Sequence, residues 1–177
     1  APKFTETSED CLYLNVWTRN LGSTEPAPVI VWIHGGGFIN GSGNELDGTV
    51  LAEQGDVVVV AVNYRLGSFG LLDLSSHGPE YKGSSSNSIR DLVLAMQWVR
   101  DNIEDYGGDP ENVTISGVSS GGTFVLSLLA TPAADELYHK AIAHSATCAY
   151  KTADDPTHDL CKQLKVSKDE FLNHLLA

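Results

Sequence analysis

Several functional classes are set aside by what the chain has little of. No apolar run approaches the roughly 20 residues that a membrane span needs; the longest, Val57-Val-Val-Val-Ala-Val62, has the length of a buried strand. Basic residues are scarce, with 11 Lys and Arg against 23 Asp and Glu and a formal net charge of −12. A nucleic-acid partner calls for the opposite balance, so none is expected, and the acidity reads as a device for solubility. There are only three cysteines, Cys11, Cys148 and Cys161, an odd count at no metal-ligand spacing. At least one is therefore unpaired within the chain, and neither a metal nor an organic cofactor is expected. No basic stretch followed by an apolar one marks a leader, but the chain opens at Ala1-Pro2 without a Met, so this carries no conclusion. Repeats and domain linkers are lacking too, and 177 residues are enough for about one domain.

What is present is an alternation of apolar strands and amphipathic helices. Leu12 to Trp17 reads as a strand. Val29-Ile-Val-Trp-Ile33 and Val57 to Asn63 read as central strands buried on both faces. A short helix is expected from Asp47 to Gln54, stopped by Gly55. The Gly-, Ser- and Pro-rich stretch from Ser68 to Ser86 has no period and reads as a loop. Ile89, Leu92, Val93, Met96, Val99 and Ile103 recur at helical spacing, with Ser88 and Asp91 resembling a capping box and Gly107-Gly-Asp-Pro110 as a stop. Val113–Ser116 reads as a strand, Gly121–Leu129 as a helix stopped by Pro132, Ala141–Ala143 as a strand and Leu160–Leu176 as a helix. Such alternation predicts an α/β fold with a mostly parallel sheet.

Two segments carry chemistry. The pattern G-x-S-x-G fits one frame, Gly117-Val-Ser-Ser-Gly121, and closes a strand while opening a helix. A strand–turn–helix elbow of this kind strains the serine and lifts its hydroxyl off the sheet; the flanking glycines admit the close backbone approach. Ser119 is the candidate nucleophile, and the N–H of Ser120 points toward the same space. The second segment, His34-Gly-Gly-Gly-Phe38, follows a buried strand. Acyl transfer places negative charge on the carbonyl oxygen, and rigid backbone N–H groups aimed there are worth about 3 kcal/mol for one donor. A phosphate cradle would want a Lys after the glycines, where Phe38 stands.

Beyond these two elements, Ser8-Glu-Asp-Cys-Leu-Tyr-Leu-Asn-Val-Trp17, Val31-Trp-Ile-His-Gly-Gly-Gly-Phe38, Asn63-Tyr-Arg-Leu-Gly67, Gly107-Gly-Asp-Pro-Glu-Asn-Val-Thr-Ile115 and Gly117-Val-Ser-Ser-Gly-Gly122 follow one another in order. Together they resemble the successive signatures of the type-B carboxylesterase family, which includes the cholinesterases. The resemblance runs from about Ser8 to Ser145. It implies an α/β-hydrolase fold, of which residues 1–177 would be the N-terminal to central portion of a single, incomplete domain, and hydrolysis of a small-molecule carboxylic ester. It also implies Ser119 as nucleophile, an oxyanion hole made by the N–H groups of Gly36, Gly37 and Ser120, and Ser145 as a residue that supports the catalytic acid. Cys11 matches a family cysteine whose disulfide partner lies upstream.

The family usually has Glu where this chain has Val118, which makes cationic esters less fitting substrates. Its acid and histidine come well after the nucleophile, and the resemblance places both beyond Ala177. Within the chain, Asp154 or Asp155 with His158 or His174 has the right order, but these residues sit on polar segments that read as solvated surface. The chain alone is therefore expected to lack base and acid. A second reading is a non-catalytic cholinesterase-like adhesion or binding module, which retention of Ser119 and the three glycines argues against.

Overall fold

The computed structural model of the protein describes residues 7–147. Five strands form one sheet: β1 (Leu14–Trp17), β2 (Ala27–Ile33), β3 (Val58–Val62), β4 (Gly108–Val118) and β5 (Lys140–His144). Their spatial order is β1-β3-β2-β4-β5. Parallel pairing joins β3, β2, β4 and β5, whereas β1 runs antiparallel to β3, so the sheet is mixed but mostly parallel, as expected. Helices α1 (Thr49–Gly55), α2 (Gly67–Leu71), α3 (Asn87–Asn102) and α4 (Ser120–Leu128) occupy the connections. No helix among the described residues is long and apolar enough to cross a membrane.

One face of the sheet carries the core. Val29, Val31 and Ile33 of β2, Val58, Val60 and Val62 of β3, and Val113 and Ile115 of β4 alternate inward. They meet Leu92, Met96 and Val99 of α3 and Phe124, Val125 and Leu128 of α4, each of which is almost fully buried. Burial of one such side chain stabilises the fold by roughly 1.5–3 kcal/mol relative to its exposure.

The opposite face corrects one expectation. β3 is buried on both faces, but β2 is not, because Ile30 and Trp32 are only half-buried. The short α1 packs over β3 and buries only Ala52 of its own residues, leaving that face of β2 thinly covered.

Three further expectations are revised. The segment from Ser68 to Ser86 is not a structureless loop: it holds most of α2 and three single 3₁₀ turns at Ser75–His77, Pro79–Tyr81 and Ser84–Ser86. Units this short leave no hydrophobic period to read. Ser88 and Asp91 do not form a capping box. The Ser88 hydroxyl donates to the Arg65 carbonyl at 2.6 Å, and the Asp91 carboxylate accepts from the Arg65 amide (2.9 Å), Nε (2.8 Å) and Nη2 (2.7 Å). A charged, bidentate partner outcompetes the local backbone N–H. Finally, β4 begins at Gly108 rather than Val113. Gly107, at φ 76°, ends the turn after α3, and the pairing of β4 with β2 shifts register between Ala27 and Val29, where the strand absorbs Pro110. The helix expected at Leu160–Leu176, together with Cys148 and Cys161, lies outside the described residues.

Candidate active site

The register of the sheet builds the site. Ile33, the last residue of β2, lies opposite Gly117 of β4, so the segments leaving the two strands emerge side by side. One is the glycine run and the other is the serine turn.

At the turn, Ser119 has φ 56° and ψ −122°, a conformation sparsely populated by residues other than glycine that costs on the order of 1–3 kcal/mol. It is held on both sides. The Ser119 N–H donates to the His144 carbonyl of β5 at 2.9 Å, and its carbonyl accepts from the Thr123 amide at 3.0 Å. The flanking glycines are required by contact distance. A Cβ on Gly117 would lie 2.5 Å from the Gly121 carbonyl, and one on Gly121 would lie 2.2 Å from the Ile33 carbonyl oxygen. The spacing of the motif is thus the spacing at which backbone meets backbone. Ser119 itself is exposed at the start of α4, and its hydroxyl has no hydrogen-bond partner among the described residues.

The glycine run passes directly against this turn. A Cβ on Gly35 would lie 2.9 Å from the Val118 carbonyl oxygen and 3.3 Å from Ser119 Cβ. Beyond it the chain turns sharply, with φ 118° at Gly36, 63° at Gly37 and 68° at Phe38. The Gly36 carbonyl accepts from the amides of Ile39 (3.2 Å) and Asn40 (3.1 Å), and the Phe38 carbonyl accepts from Gly67 (2.7 Å). The amides of Gly36, Gly37 and Ser120 donate to no acceptor among the described residues. Two of these amides thus belong to the turn that follows Gly35, which packs against Ser119, and the third opens α4 directly after it.

Behind these amides lies a buried cluster whose residues fall in two of the motifs but had been given no role of their own. His34 (1 % exposed) stacks on Tyr64 (2 % exposed) with ring centroids 4.3 Å apart, and burial holds its imidazole below the usual histidine pKa. Its Nδ1 lies 2.7 Å from the Gly35 carbonyl oxygen. The Tyr64 hydroxyl donates to the His34 carbonyl at 2.7 Å. The available signal was Asn63-Tyr-Arg65, polar residues directly following a fully apolar strand and therefore at the same sheet end as the glycines.

Ser145, at φ 51°, directly follows His144 and so lies beside the serine turn across β4 and β5; it is exposed. His139 enters β5 at its far end, where Nδ1 accepts from the Val113 amide. Asp154, Asp155, His158 and His174 lie outside the described residues. Cys11 is half-buried and has no disulfide partner among the described residues; the pKa of its thiol is raised by burial and then by the Asp91 carboxylate.

A mixed sheet with a strained serine after a parallel strand defines the α/β-hydrolase class. The sequence profile of the carboxylesterase family matches residues 1–168, and the chain belongs to that family. It is 49 % identical over 149 residues to the para-nitrobenzyl esterase of Bacillus subtilis, covering 83 % of this chain and 30 % of that protein. To the acetylcholinesterase of Gallus gallus it is 46 % identical over 145 residues, 80 % of this chain and 18 % of the other. Among solved structures, an esterase from Clostridium hathewayi that can hydrolyse aliphatic aromatic polyesters superposes with a TM-score of 0.82 at 45 % identity. That match covers 92 % of this chain and 34 % of the esterase. The chain thus spans about a third or less of the length of these relatives.

Proposed function

We propose that the full-length protein carrying this chain is a serine carboxylesterase. The family supports an ester hydrolase, and the observation that carries the mechanism is the strained Ser119 with the glycine run packed against it. Ser119 Oγ attacks the acyl carbon while its proton passes to a base. The carbonyl oxygen becomes an oxyanion, received by the amides of Gly36, Gly37 and Ser120. As the C–O bond breaks, the alcohol leaves with that proton; water then attacks the acyl-enzyme and regenerates the serine. The base and its orienting acid are assigned to sequence outside residues 1–177, with Ser145 supporting the acid from the end of β5. No metal or organic cofactor takes part.

The test is labelling with a fluorophosphonate and turnover of p-nitrophenyl acetate, on both the 177-residue chain and the full-length protein. The full-length protein is expected to be labelled at Ser119 and to turn over, and Ser119→Ala to lose both, by 10⁴-fold or more in kcat on the order of magnitude of other triad serines. The isolated chain is expected to lack enzyme-like turnover. Ser119-dependent turnover at full rate by the isolated chain would overturn the assignment of the base. A full-length protein labelled at another residue would overturn the nucleophile.

A further inference from the structure

We propose that Tyr64 is a positioning residue for ester hydrolysis: its hydroxyl ties the glycine segment to the first turn of α4 and so fixes the distance between the two halves of the oxyanion hole. This rests on the function proposed above. Gly36 and Gly37 belong to a turn after β2, whereas Ser120 opens a helix after β4, and an oxyanion can use all three amides only if the two pieces keep one spacing. Neither piece supplies that spacing by itself. The glycine turn runs through three consecutive residues of positive φ and has few side chains with which to anchor.

The anchor is the His34 carbonyl. It is the last carbonyl before the glycines, and α4 packs against it: a Cβ on Gly121 would lie 2.5 Å from its oxygen, with only the Ile33 carbonyl oxygen nearer. The Tyr64 hydroxyl donates to that same oxygen at 2.7 Å and lies 3.4 Å from His34 Nδ1. The hydroxyl of Ser120 is buried without a well-formed hydrogen bond, and its neighbour is again Tyr64. That proximity acts to lower the Tyr64 pKa, against the larger upward effect of burial, although the two hydroxyls form no regular hydrogen bond. Burial dominates and keeps the phenol protonated, hence a donor, well beyond the ordinary tyrosine range.

The ring is fixed as firmly as the hydroxyl. His34 lies parallel to it at 13°, Phe124 of α4 meets it edge-on at 4.9 Å and 72°, and Phe38 meets Phe124 edge-on at 5.2 Å. Four aromatic rings thus connect the strand after which Tyr64 sits, both ends of the glycine segment and the helix that begins at Ser120. Side chains held by packing are what keep donors to within the tolerance that catalysis requires, because about 1 Å of misplacement can cost a hundredfold in rate.

Tyr64→Phe in the full-length protein removes the hydroxyl and keeps the ring stack. The expected result is a kcat reduced about ten- to a hundredfold with KM within about threefold. Affinity for a trifluoromethyl ketone, whose adduct carries the tetrahedral oxyanion, should fall in parallel, while the melting temperature drops by only a few degrees. Phe124→Leu, which loosens the ring clamp and keeps the hydroxyl, should lower kcat and ketone affinity about two- to fivefold. Tyr64→Phe that retains kcat and ketone affinity within twofold overturns the proposal, as does joint loss of kcat, KM and thermal stability, which would make Tyr64 a core residue only. Should Tyr64→Phe fail to fold, an unchanged kcat in Phe124→Leu overturns it as well. The wild-type protein separates this from the esterase reading: without Ser119-dependent turnover there, it is the function that fails and not the strut.

Discussion

The serine turn is held from two sides that differ in almost every physical respect. On one side, one strand beyond β2, stands β3, with all five residues buried, leading into Tyr64 and the aromatic cluster beneath the glycine run. On the other stands β5, with all five residues exposed and one edge unpaired among the described residues. Yet each side contributes one decisive backbone contact: the His34 carbonyl against α4, and the His144 carbonyl that accepts the Ser119 N–H at 2.9 Å. The difference teaches that the glycine segment is positioned by a dry, interlocked core, whereas the strained serine leans on a strand whose support within the described residues is the ladder to β4 and the packing of α4.

The largest effect should come from breaking the dry side at its tightest point. Gly121→Ala places a methyl 2.2 Å from the Ile33 carbonyl oxygen and 2.5 Å from that of His34, both of them backbone atoms that cannot swing away. The expected cost is about 3 kcal/mol or more, read as a fall in the urea midpoint. Next comes a matched pair. Val60→Ala in β3 removes two fully buried methyl groups, which should cost about 2 kcal/mol including the cavity left behind. Ile142→Ala in β5 removes more carbon, but from a side chain 44 % exposed, and should cost less than about 1 kcal/mol. Equal losses in the two variants would abolish the contrast between the strands.

The same contrast governs what could be read beforehand. β2 and β3 were legible because a run of Val and Ile with no polar interruption has few places to go but a sheet interior. Gly117 and Gly121 were legible because contact between backbones admits no other residue, so the constraint is written in the residue type itself. Ser88 and Asp91 misled because the spacing of a cap is local, whereas Arg65, which claims both, lies 26 residues from Asp91 in sequence. Tyr64 stood in a motif yet its contact could not be read, for a related reason: nothing in the position of a tyrosine after a strand tells which carbonyl its hydroxyl will find, and that depends on a sheet register set by β2, β3 and β4 together. The partial exposure of Ile30 and Trp32 could not be read either, since alternation within a strand does not say how much of a face the neighbouring helices reach.

The smallest of these effects, a pH dependence, tests the dryness of the β3 side directly. His34 is buried against Tyr64, and loss of hydration lowers its pKa below that of an unfolded chain, for which about 6.5 is usual. Below that value the unfolded state takes up a proton that the folded state still refuses, so acid favours unfolding. The stability contributed by neutral His34 is therefore complete above about pH 6.5. It declines as pH falls toward the depressed folded value and levels off beneath it. Urea midpoints at pH 7.5 and 5.5 should differ in that direction, by less than one full proton's worth, and His34→Gln should flatten the slope over the same interval. A slope that survives His34→Gln would mean that another group carries it and that the imidazole is hydrated after all. In that case the glycine segment would rest on wet ground no firmer than that beneath β5, and the two sides of the serine would be alike.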